Sequence, residues 1–144
     1  MQQLLQDALA INRYFKGGDL FLTMTANPAW PEIQDALEPG QSAADRPDLA
    51  VRAFYQKQKQ LIKDIENGIF GKALAYVFTI EFQKRGLPHM HCIIFLDQES
   101  KLRTPEQIDS LLSSEFPDYS PELLELVKKL MVHNPCSAEN SNAP

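Results

Sequence analysis

Residues 72–96 alternate between large apolar and small or polar side chains. Leu74, Tyr76, Phe78, Ile80 and Phe82 occupy one set of positions, and Ala73, Ala75, Val77, Thr79, Glu81 and Gln83 the other. A period of two predicts a strand, with Tyr76 and its set turned to a core. "KRGLP" breaks the pattern as a turn, and residues 89–96 return as a second strand, so the segment predicts a β-hairpin. An apolar, Thr-rich run, "DLFLTMT" (19–25), is bounded by Gly and by "NP" and predicts a buried strand.

Helical spacing fills the remainder. Residues 2–16 place Leu5, Ala8 and Leu9 on one side before Gly17 and Gly18. A longer helix is expected over 45–66, with Asp45 as its cap, Pro47 in its first turn and Asn67-Gly68 at its end. Leu49, Ala53, Phe54, Leu61, Ile62 and Ile65 form its apolar face. The segment between strand and helix, "NPAWPEIQDALEPGQSAADRP", carries four prolines and is expected to be a long loop with a single helical turn. "TPEQ" has the form of a capping box and opens a helix over 105–114. "SPELLELVKKLMVH" opens another, with Leu123, Leu126, Val127 and Leu130 inward. The resulting order, with two strands adjacent and antiparallel, predicts an α+β fold: an antiparallel sheet flanked by helices. The expected organisation is an N-terminal helix over 1–18, a core over 19–133 and a loose tail over 134–144.

Composition narrows this picture only a little. The 144 residues, 44% apolar and 23% charged, suit one ordinary domain. No run approaches the roughly 18 apolar residues of a membrane span, and no basic cluster follows Met1 as a signal peptide would require. Two cysteines, Cys92 and Cys136, suggest no disulfide framework and point to a reducing, intracellular setting. The net charge of −5 is uneven. Residues 1–96 hold 10 basic and 10 acidic side chains, whereas residues 97–144 hold 4 and 9. A nucleic-acid-binding face on the first part is therefore compatible with the acidic total.

The chemistry gathers at the hairpin. His89 and His91 are two residues apart, so on a strand they project together, while Met90 and Cys92 face the core. Glu81 alternates away from Ile80 and Phe82 and, if the two strands pair as the predicted hairpin, falls on the histidine face. Two imidazoles and a carboxylate leave coordination positions open and suit Mg²⁺ or Mn²⁺; zinc accepts the same set. Half-exposed strand residues beside a turn would show the same letters, and the spacing alone leaves both readings open.

The blocks "DLFLTMTANPAWPEI", "DRPDL", "GIFGKALAYVFTIEFQKRGLPHMHCIIFL" and "MVHNPC" together resemble the Helitron helicase-like domain, the N-terminal replication-initiator (Rep) region of Helitron transposases in the HUH endonuclease superfamily. The resemblance spans roughly residues 11–136. It implies a Rep/HUH-type core, ferredoxin/RRM-like, with the histidine motif on a central strand and His89, His91 and Glu81 as metal ligands. It also implies a tyrosine that attacks a phosphate of single-stranded DNA during rolling-circle transposition, a covalently joined helicase, and a nuclear location. The family's tyrosines lie on a helix well beyond the histidines. Here only Tyr119 follows them, in "FPDYSPE", as the sole candidate nucleophile. Tyr76 faces the core, and packing in helices accounts for Tyr14 and Tyr55. The chain is therefore expected to be the metal-binding part of a larger transposase, or a decayed copy, without its catalytic tyrosine.

Other residues have two readings each. Lys84 and Arg85 at the hairpin turn suit phosphate contacts or a solvated turn. Trp30 suits base stacking or anchoring of its loop. Thr23 and Thr25 line the site or fill a strand. His133 and Cys136 in "HNPC" resemble half a zinc site or a helix end, and Cys92 reads as a small core residue. A non-catalytic nucleic-acid-binding module of similar fold, and a metal-dependent phosphoesterase with water as nucleophile, are the alternatives to the endonuclease.

Overall fold

The structure is a computed structural model that describes residues 2–83, 86–112 and 115–130. Lys84, Arg85, His133, Cys136 and the tail over 134–144 lie outside these residues. The chain divides into two compact units, one ending at Thr104 and the other starting at Pro105.

The first unit contains α1 (Gln2–Tyr14), β1 (Leu20–Thr25), α2 (Pro31–Gln34), α3 (Pro47–Glu66), β2 (Ala73–Phe82) and β3 (Pro88–Leu96). The strands form one antiparallel sheet in the order β1-β3-β2. The fold is α+β, as the pattern predicted, and the two histidines sit on the central strand. β2 and β3 form the expected hairpin, closed by Gly86, whose φ of 77° is costly for any residue with a Cβ.

One face of the sheet carries the core. Met90, Cys92, Ile94 and Leu96 of β3 are fully buried with Phe54 and Ile65 of α3, and Leu20, Leu22 and Met24 of β1 pack against them. Asp19 ties the strand ends together. Its carboxylate accepts the Leu96 backbone N–H at 2.8 Å and the Lys101 ammonium at 2.8 Å. α3 begins at Pro47 as expected, but Asp45 does not cap it. The Asp45 carboxylate accepts the backbone N–H and hydroxyl of Ser42 instead, because the preceding loop turns back on itself there. The other end closes as expected. Gly68 takes φ 87° while its N–H reaches the Ile65 carbonyl and that of Ile69 reaches Asp64, a Schellman motif.

Expectations about burial fail in β1 and β2. β1 is half-buried rather than buried: its residues alternate, and Phe21 is 65% exposed. In β2, Tyr76, Phe78, Ile80 and Phe82 do share the core face, yet Phe78, Ile80 and Phe82 remain exposed, because α3 packs over the central strand and β2 is an edge; Leu74, exposed as well, falls outside this set. A bulge between Ala73 and Ala75 also breaks the alternation and turns Ala73 inward. In α1, Ala8 and Leu9 do share one side, toward the sheet, where Leu9 stays 44% exposed; the side chain of Leu5 is not among those described.

The second unit has α4 (Pro105–Leu111) and α5 (Pro121–Leu130). α4 starts where the capping box placed it and stops three residues early. Ser120 caps α5 through its hydroxyl on the Leu123 N–H. The inward set of α5 is corrected: Leu123 and Leu126 are exposed, while Leu124 and Val127 are half-buried. The side chain of Leu130 is not among those described.

Candidate metal centre

The face of the sheet opposite α3 holds the chemistry. Strand pairing sets its rows. His89 lies between Thr25 of β1 and Glu81 of β2, and His91 lies between Thr23 and Thr79. Residues directly opposite on neighbouring strands share a face, so Glu81, both histidines and both threonines project to one side. Beyond them come Phe21, Val77 and Ile93, and then Phe95, whose ring stacks on Phe15 at the end of α1, 4.9 Å between centroids. α1 thus covers the apolar end of this face and leaves the histidine end open. Gly18 makes that approach possible, since a Cβ there would collide with the Ile93 side chain.

Glu81, His89 and His91 each offer one donor atom, and the three donors lie within 4.8 Å of one another. His91 Nε2 stands 3.2 Å from Glu81 Oε1. The histidine rings meet edge to face at 4.4 Å. His89 Nδ1 lies 2.6 Å from the Thr25 hydroxyl, which leaves Nε2 as its outward donor. A hydrogen bond on one ring nitrogen fixes the tautomer that presents the other to a metal. Donors on one ion, each at about 2.1 Å, stand no more than about 4.2 Å apart, so small side-chain rotations close this set. His91 Nδ1 is, among the described residues, a buried side-chain nitrogen without a hydrogen-bond partner. The His91 ring stacks on Phe21, 5.5 Å between centroids and 18° between planes. An imidazole–carboxylate contact this exposed adds little stability by itself. The residue types, their shared direction and their spacing all fit a divalent cation.

A family comparison matches residues 1–94 to the family described as Helitron helicase-like domain at N-terminus. The chain belongs to that family. The match holds all six elements of the first unit up to Ile94, including both histidines and Glu81, and it stops short of "MVHNPC". A search of curated proteins found no match. No helix among the described residues of this Helitron-family chain is long and apolar enough to cross a membrane.

The other sequence candidates separate. Thr25 contacts His89, and Thr23 is the neighbour of His91 in the sheet. Trp30 packs against the core with Lys57 4.9 Å above its ring, so it anchors the loop on the α3 side. Tyr76 also turns to that side, where its hydroxyl donates to Glu66 at 2.8 Å; that bond, aided by burial, raises its pKa. Packing does not account for Tyr14 or Tyr55, which are 81% and 52% exposed. Tyr119, 80% exposed, belongs to the second unit. Cys92 is a core residue, its thiol pushed up to about 11 by burial. Two neighbours of the site escaped the sequence reading. Phe21 and Thr79 follow from register: each lies two residues from a position already placed on the histidine face.

Proposed function

We propose that residues 1–104 are the metal-binding part of a Rep-type (HUH) endonuclease that acts on single-stranded DNA in Helitron transposition, using Mg²⁺ or Mn²⁺. The observation that carries this reading is the convergence of Glu81, His89 and His91 within 4.8 Å on the open face of the central strand, in a chain of the Helitron family. A divalent ion bound there supplies charge neutralisation and polarisation of a scissile phosphate. The protein's part is to hold the ligands ready. Three strands in register place them, and Thr25 orients His89. The open histidine end admits an extended strand of nucleic acid.

In-line attack needs a nucleophile at roughly 3–3.5 Å from phosphorus. Tyr76 is turned to Glu66 on the other face, and Tyr55 belongs to α3 on that side. Tyr14 neighbours Phe15, which stacks on Phe95, six residues and roughly 20 Å along β3 from His89. The first unit therefore binds and activates phosphate, and the nucleophile is supplied from beyond it.

Fluorescence anisotropy with labelled single-stranded DNA tests the reading. Binding should be tighter in Mn²⁺ than in EDTA, should weaken steeply with salt as phosphate contacts release counterions, and should lose its Mn²⁺ dependence in the His89→Ala/His91→Ala variant. Equal binding in Mn²⁺ and EDTA, or none at low salt, would overturn it.

A further inference from the structure

The phosphate chemistry leaves unused a cavity that adjoins it. Between α1 and the sheet lies a space of about 230 Å³. Leu9 and Asn12 line it from α1, and Phe21, Thr79, His91 and Ile93 from the three strands. His91 thus belongs to both the donor cluster and the cavity wall. The lining is mainly apolar, with an aromatic ring on one side and an amide, a hydroxyl and an imidazole among the other walls. Phe21 is 65% exposed although it is a large apolar residue beside a functional site.

We infer that this cavity holds one nucleobase of the DNA strand, the base next to the phosphate at the metal centre, stacked against Phe21. The inference rests on the reading given under Proposed function and names how that site grips its substrate. Size favours a single base. A cavity of about 150 Å³ accommodates a benzene ring, and pockets for larger organic ligands run from about 300 Å³ upward. The space here suits a planar heterocycle with exocyclic groups. Chemistry favours it as well. Bases stack on aromatic side chains irrespective of sequence, while the Asn12 amide can both donate to and accept from a base edge. Place in the fold supplies the third argument: a base and its own phosphate are adjacent, and so are the cavity and the donor cluster, which share His91. Stacking in the cavity would fix the strand's register and so select which phosphate meets the ligands.

The experiment is an abasic scan on the full chain in Mn²⁺. A labelled single-stranded oligonucleotide is compared with a set in which each position in turn lacks its base, for wild type, Phe21→Ala, and Leu9→Trp, which fills the cavity. Both substituted side chains are well exposed, so the fold should survive, and circular dichroism verifies it. Wild type should show one position where base removal weakens binding about 5- to 150-fold, the range of one base–aromatic stack. That penalty should vanish in both variants, whose affinity for the intact strand falls to the abasic level. If no position stands out, or if the penalty persists in both variants, the base site is wrong while Mn²⁺-dependent binding still supports the metal centre. If wild type binds no single-stranded DNA, both readings fall together.

Discussion

The two faces of β3 share one backbone and have opposite fates. Met90, Cys92, Ile94 and Leu96 are at most 1% exposed beneath α3. His89 and His91, interleaved with Met90 and Cys92, look out on the other side with Glu81. The first face is closed by a 20-residue helix and excludes water. The second is covered by α1 only at its apolar end. A central strand braced on both edges and one face is rigid, and the open face inherits that rigidity. His89 and His91 on such a strand are held in place by a core to which they contribute nothing.

This contrast predicts separable effects. The largest should come from the closed face. Ile94→Ala should lower unfolding free energy by about 2–5 kcal/mol, since it leaves a cavity at a fully buried position. Urea denaturation measures it, and any metal binding should then be lost only in step with folding. A loss below about 1 kcal/mol would mean that this face is not the core.

On the open face, His89→Ala/His91→Ala should abolish Mn²⁺ binding in calorimetric titration while the urea midpoint stays nearly unchanged. Binding by wild type should also weaken on acidification, because a protonated imidazole cannot ligate and the metal must displace protons. Equal titrations for the two proteins would remove the metal centre.

A smaller effect belongs to the edge of that face. Thr25→Val keeps the side-chain shape and removes the hydroxyl on His89. Partners of metal-bound histidines are typically worth about 10–100-fold in metal affinity, and Thr25→Ser should recover most of the loss. If valine and serine behave alike, Thr25 is strand filler.

The smallest signal is an absence of reaction. Cys92 is buried and its thiol lies near 11, so iodoacetamide at pH 8 should leave it unmodified until denaturant unfolds the protein, as peptide mass spectrometry would show. Rapid modification of native protein would show that the closed face opens.

Much of this was legible in the residues. Period two told which side chains of each strand travel together, and together with the hairpin predicted from the turn it joined Glu81 to both histidines. Gly68 and Gly86 marked a helix end and a turn because few other residues accept their positive φ. These are local matters, settled by backbone geometry within a few residues. What period cannot say is which neighbour arrives to cover a face. Phe78, Ile80 and Phe82 carry the pattern of a core strand and stay exposed because α3 sits over β3, not over the edge. Phe21 looks like core and instead stacks on His91. Asp45 has the chemistry of a cap, and a serine three residues earlier claims it. Thr25 meets His89 across 64 positions, and α1 reaches the far side of the sheet where Gly18 leaves room. Direction along a strand is a property of the chain; burial and partnership depend on distant segments, and only the folded molecule brings those together.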